Sequence, residues 1–96
     1  MPSFQLRLEN TYWSKGFFNV GVGSQQWVTT TEGPFQLYLG NEAVPITGRV
    51  SRSANQNATP RIYGNKRLAE FFQAHYKRGD SLRVEILPPT SMRLGA

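Results

Sequence analysis

The residues of this chain best suited to chemistry with a ligand lie between Arg49 and Arg67. That stretch carries Arg49, Arg52, Arg61, Lys66 and Arg67 and contains no aspartate or glutamate. Removing these five from the eleven lysines and arginines leaves six cations against six acids, so the net charge of +5 is concentrated here. Between the arginines run Ser51, Ser53, Asn55, Gln56, Asn57 and Thr59, whose hydroxyls and amides hydrogen-bond base edges and phosphate oxygens. Arginine can pair with guanine through two hydrogen bonds, and asparagine or glutamine with adenine, each pair giving ~1–3 kcal/mol of base discrimination. Serine and threonine are better suited to phosphates. A solvated basic loop is the plainer alternative, but a long amide-rich connector with no acid, flanked by strands, would be an unusual passive one. The chemistry implied is recognition of a polyanion.

Tyr12, Trp13, Ser14 and Lys15 form a second group. Either Tyr12 and Lys15 make a second contact point, or the segment is a partly buried aromatic turn in which Trp13 completes the core. Lys66 and Arg67, at a predicted helix start, could meet phosphates with their side chains and free backbone N–H groups, or serve solubility alone.

Catalysis has little support. His75 is the lone histidine, and the acids are scattered singly; a metal-dependent nuclease centre needs them gathered. A compact nuclease would have to assemble Glu9, Glu85, Asp80 or His75 in space. With no cysteine, the chain has no disulfide framework, thiolate metal site or thiol nucleophile. Gly21-Val22-Gly23 lacks the third glycine and following helix of a phosphate-binding loop, and Asn57-Ala58-Thr59 matches a glycosylation triplet without a secretion signal beside it. No cofactor is expected. No apolar run approaches a membrane span and none at the amino terminus looks like a signal region, so the expectation is a soluble protein in the cytoplasm.

The elements that must position these groups are mostly short strands. Phe4, Leu6 and Leu8 alternate with polar residues, as do Phe35, Leu37 and Leu39, the period of a strand with one buried face. Phe17–Val22, Trp27–Thr31 and Val44–Val50 read as further β-rich runs, with Glu32-Gly33-Pro34 and Gly40-Asn41-Glu42 as turns. Pro45 favours an edge or a bulge. Tyr12–Gly16 reads as a polar-aromatic connection. Asn65 as N-cap, the spacing of Leu68, Phe71, Phe72 and Tyr76, and Gly79 as a left-handed stop predict one helix reaching Lys77 and Arg78. Leu82, Val84 and Ile86 predict a late strand, and Met92 and Leu94 a short last one. With 96 residues, 39% of them hydrophobic, the chain suits a single domain over 1–96. The pattern is mainly β with one or two helices, a small barrel-like sheet capped by a helix near the C-terminus.

The segment from Arg49 to Ile62, the helix after it, and Gly79-Asp80-Ser81-Leu82-Arg83-Val84-Glu85-Ile86 together resemble the B-three-like DNA-binding pseudobarrels of bacterial restriction endonucleases. These are of the EcoRII effector-domain type and are related to the plant transcription-factor domains of that name. The resemblance spans roughly Phe4 to Leu87 and rests on a pattern of strands, two polar loops and a late helix. It implies a seven-stranded open pseudobarrel that grips the major groove with two arms. Tyr12, Trp13, Ser14 and Lys15 match the N-arm region, and Arg49, Ser51, Arg52, Asn55, Gln56, Asn57, Thr59 and Arg61 match the C-arm. The implied function is sequence-specific recognition of a short double-stranded DNA site for a nuclease domain carried elsewhere in a parent chain. This chain would then be an excised domain or a small stand-alone protein. A single-stranded nucleic-acid-binding barrel, with Trp27, Tyr38 and Trp13 as stacking platforms, is the alternative.

Overall fold

The alternating amino-terminal segment forms β1 (Ser3–Arg7) in the computed structural model, which describes residues 2–55 and 58–95. Leu6 is buried within β1 and Leu8 just beyond it, while Gln5 and Arg7 point outward. β2 (Phe17–Asn19), β3 (Gly33–Leu39), β4 (Ile46–Ser51), β5 (Arg61–Tyr63), β6 (Ser81–Leu87) and β7 (Ser91–Leu94) complete one seven-stranded sheet. The strand order is β1-β6-β7-β3-β4-β5-β2, with every pair antiparallel except β3 and β7. The sheet curls into a half-barrel with two helices, the mainly β, open seven-stranded architecture expected from the sequence. Its inner face is filled by Phe18, Phe35, Leu37, Val50, Ile62, Val84, Ile86 and Met92, all fully buried. Each such side chain gains ~1.5–3 kcal/mol over leaving it in water.

The strands at the two ends of the sheet, β1 and β2, are joined by a helix where the sequence suggests a connection. α1 (Asn10–Lys15) ends at Gly16, which takes the left-handed conformation (φ 75°) that glycine adopts without strain. α1 packs against α2 (Asn65–His75), which buries Leu68, Ala69 and Phe72. The backbone seals the junction, since the N–H groups of Gly64 and Asn65 both donate to the Gly16 carbonyl at 2.9 Å.

Several boundaries differ from the sequence pattern. β2 stops at Asn19, and Gly21–Ser24 turns away instead of continuing to Val22. The β-branched run Trp27–Thr31 is no strand: a 3₁₀ turn occupies Gln25–Trp27, and Val28 is buried without joining the ladder. Tertiary placement overrides β propensity here. Gly64, not Asn65, is the residue before α2. The helix also ends at His75, short of Lys77 and Arg78, because Tyr76 turns extended (φ −138°, ψ 159°) and packs against the core. Gly79, at φ 91°, serves the turn into β6, where the Asp80 carboxylate accepts the Lys77 N–H at 2.8 Å. Pro45 directly precedes β4 and so interrupts no ladder bond.

Candidate nucleic-acid interface

The last three strands of the sheet set the charged residues in register. Phe17, Tyr63 and Arg49 form one row across β2, β5 and β4, and Asn19, Arg61 and Ser51 form another. The row between them, Phe18, Ile62 and Val50, is buried in the core, so the rows on either side lie on the opposite face of the sheet by the two-residue period of a strand, with Ser51 covered there by Glu32 and Ser53. The arginines lie on rings. The Arg61 guanidinium carbon is 4.6 Å from the Phe17 ring centroid, and that of Arg49 is 5.0 Å from the Tyr63 centroid. Phe17 and Tyr63 are themselves neighbours at 5.9 Å, and Tyr12 meets Phe17 edge-on at 5.5 Å. Such cation–π contacts contribute ~0.5–1 kcal/mol at exposed sites.

Arg61 is held more tightly still. Its Nε donates to Asn19 Oδ1 at 2.9 Å and its Nη2 to Asn55 Oδ1 at 3.1 Å. Asn55 Nδ2 in turn donates to Asn19 Oδ1 at 2.9 Å and to the Thr59 carbonyl at 3.2 Å. The triangle of Asn19, Asn55 and Arg61 ties the loop after β4 to β2. Sequence reading missed Asn19, which lies 42 positions from Arg61; strand register alone reveals it.

Arg52 sits where the loop leaves β4, and its guanidinium donates to four backbone carbonyls. Nε reaches Thr29 at 3.1 Å, Nη1 reaches Ala58 at 3.1 Å, and Nη2 reaches Gln25 at 3.3 Å and Val28 at 2.9 Å. It therefore fastens the connection between β2 and β3 to the loop between β4 and β5. Arg52→Ala is expected to lower the unfolding free energy by ~2 kcal/mol, since hydrogen bonds from a charged donor are lost and carbonyls are left unpaired. A denaturant titration would check this; an unchanged midpoint would mean the clamp contributes nothing.

Glu32, absent from the sequence-derived candidates, organises the same corner. Its Oε2 accepts from the backbone N–H of Arg52 and of Ser53 (2.9 Å), and from the hydroxyls of Ser51 (3.1 Å) and Ser53 (3.0 Å). The Arg52 N–H above all, then the two serine hydroxyls and the Ser53 N–H, hold its carboxyl below the ordinary value of 4.5. Because the folded value is depressed, the ionised carboxylate supports the loop above the unfolded value. That support is lost as pH falls below 4.5 and through the folded value. In Glu32→Gln, the amide protection of Arg52 and Ser53 should already be low at neutral pH and insensitive to acid, whereas the native protein should lose it only on acidification. Equal protection in both proteins at neutral pH would contradict this role.

The other sequence candidates divide. Tyr12 adjoins the arginine face, and Lys15 is exposed two residues before Phe17. Trp13 is half-buried against the core, with its indole N–H donating to the Tyr76 carbonyl at 2.9 Å and Arg78 over its ring at 5.5 Å. Ser14 donates its hydroxyl to the Asn10 carbonyl at 2.8 Å, within its own helix. Ser51, the last residue of β4, and Thr59 are buried, at 4% and 7% exposure. Lys66 and Arg67 are exposed on the first turn of α2. Arg67 lines a separate open groove of ≈1200 Å³, between α2 and the β3–β4 connection, together with Val44, Phe71 and His75. Gln56 and Asn57 lie outside the described residues. The structure thus gathers Tyr12, Arg49, Arg52, Asn55, Thr59 and Arg61 around one corner and sets Arg67 elsewhere.

No protein-family model matches the chain. No curated protein matches it either. Among the described residues, no three histidine or acidic side chains are grouped so as to hold a metal ion. Two of the carboxylates considered for such a group have other partners, Asp80 in its turn and Glu85 with Arg83 at 3.6 Å. No described helix is long and apolar enough to cross a membrane.

Proposed function

We propose that this chain is a sequence-specific double-stranded DNA-binding domain of the B-three-like pseudobarrel type, serving as the target- or effector-site domain of a restriction endonuclease in the bacterial cytoplasm. The observation that carries the reading is the mounting of Arg49 and Arg61 on the Tyr63 and Phe17 rings, with Arg61 also oriented by Asn19 and Asn55. Two planar cations fixed on one face, beside a loop with no acid of its own, are preorganised for phosphates and for the edge of guanine. In this reading Arg61, Arg49 and the tip of the loop meet the duplex, Tyr12 and Lys15 border it from the other arm, and Arg52, Ser51 and Thr59 hold the loop in shape. Trp13 and Ser14 act structurally, and Lys66 adds charge near the helix junction. Catalysis is left to a nuclease domain elsewhere in the parent protein.

Single-stranded nucleic acid is the second reading, favoured by the exposed Trp27 indole. Against it, the other two rings suited to stacking are occupied, Tyr38 by Arg93 at 4.7 Å and Trp13 by Arg78. The two readings separate in a salt titration. With about four phosphate contacts, log K for duplex should fall against log salt with a slope of roughly −3 to −4, and duplex should be preferred to the same sequence as single strands. Equal or tighter binding of single strands would reverse the assignment.

A further inference from the structure

Among the described residues three large apolar side chains are well exposed, Val22 (65%), Trp27 (44%) and Val44 (78%), and the first two lie in the same connection between β2 and β3. Two tight turns compact that connection: the Ser24 N–H donates to the Gly21 carbonyl and the Trp27 N–H to the Ser24 carbonyl, both at 3.1 Å. Trp27 closes the second turn. The carbonyls of Gln25 and Val28, on either side of it, both accept from Arg52 Nη2. The same guanidinium holds the Ala58 carbonyl of the basic loop. One side chain thereby fixes the backbone around an exposed indole to the loop that lies beside Arg61.

We infer that Trp27, with Val22, is a third contact of this interface: an apolar wedge that packs against a base step at the margin of the bound duplex. The inference rests on the duplex reading above. An exposed aromatic on a backbone tied to the basic loop suits this use, because phosphate contacts hold the DNA backbone while the wedge partly unstacks a step and lets the DNA wrap more protein surface. It also gives Arg52 a role in recognition without contact with a base, since it ties the backbone that carries the indole to the loop that carries Asn55, a partner of Arg61.

The chain contains two tryptophans, Trp13 and Trp27, and Trp13 is half-buried with its N–H bonded to the Tyr76 carbonyl, so intrinsic fluorescence can separate them. The probe is a duplex taken from a randomised pool by binding to the native protein. Adding it should quench the emission of the native protein, and the change should vanish in Trp27→Phe. Trp27→Ala should bind about tenfold more weakly, the size of a lost aromatic–base contact, with Trp27→Phe recovering most of the affinity. A mismatch moved along the duplex should tighten binding of the native protein at one margin and leave Trp27→Ala unaffected. Native binding with quenching that persists in Trp27→Phe, or with full affinity in Trp27→Ala, overturns the wedge alone. Should Trp27→Ala fail to fold, the fluorescence of Trp27→Phe still decides. If the native protein binds no duplex, wedge and duplex reading fall together.

Discussion

Arg61→Ala is expected to weaken binding to a preferred duplex about 100-fold, while changing the affinity for unrelated duplex only severalfold. The size follows from the pairing of one arginine with a guanine edge, ~1–3 kcal/mol of discrimination, and from the concentration of binding energy in a few fixed, planar side chains. Two companion variants separate charge from geometry. Arg61→Lys keeps the charge but cannot keep the Asn19 and Asn55 contacts together with the guanidinium's place over Phe17, so it should recover nonspecific affinity and little of the specific part. Asn19→Ala removes the acceptor that Arg61 and Asn55 share and should lose about tenfold in specific binding with the cation in place. Competition titrations with matched and scrambled duplexes would measure all three. Full rescue by lysine would make Arg61 a phosphate contact and leave base reading to other residues.

Gly16→Ala is expected to have the largest effect on stability, about 3 kcal/mol or more. A Cβ at Gly16 would lie 2.0 Å from the Asn65 carbonyl oxygen and 2.8 Å from the Ala69 nitrogen, both backbone atoms. The residue also needs φ 75°, which strains any side chain. Its carbonyl cannot simply move aside, because it accepts two N–H bonds from the start of α2. Relief therefore requires separating α1 from α2, which would carry Tyr12 and Lys15 away from the arginine face. The melting temperature should drop by well over 10 °C, given ~4–8 °C per kcal/mol for a domain of this size, with DNA binding weakened even where the protein stays folded. A shift of only a few degrees would mean that the helix junction is loosely packed.

The sequence made the inner face of the sheet legible because burial imposes a strict period of two. Phe35, Leu37, Leu82, Val84 and Ile86 are all buried as their alternation requires. α1 was hidden because its residues pack by tertiary contacts, Trp13 to Tyr76 and Gly16 to Asn65, and carry no long amphipathic period. Trp27–Thr31 misled for the opposite reason, since β-branched residues without a partner strand do not make a ladder. At the candidate interface, composition pointed to the loop from Arg49 to Arg61 but could not assign jobs within it. Arg52 and Arg61 look alike in sequence, yet one donates to four main-chain carbonyls and the other is stacked on a ring at the surface. Glu32 and Asn19 escaped notice because their roles depend on partners 19 to 42 positions away.

The most direct test of duplex recognition is selection of bound molecules from a randomised double-stranded library at about 0.15 M salt, where nonspecific phosphate binding is weakened, with a matched single-stranded pool in competition. Enrichment of one short duplex motif, lost in Arg61→Ala, is the expected result. No enrichment, or capture of the single-stranded pool in its place, would contradict specific recognition of duplex DNA by the face that carries Arg49 and Arg61.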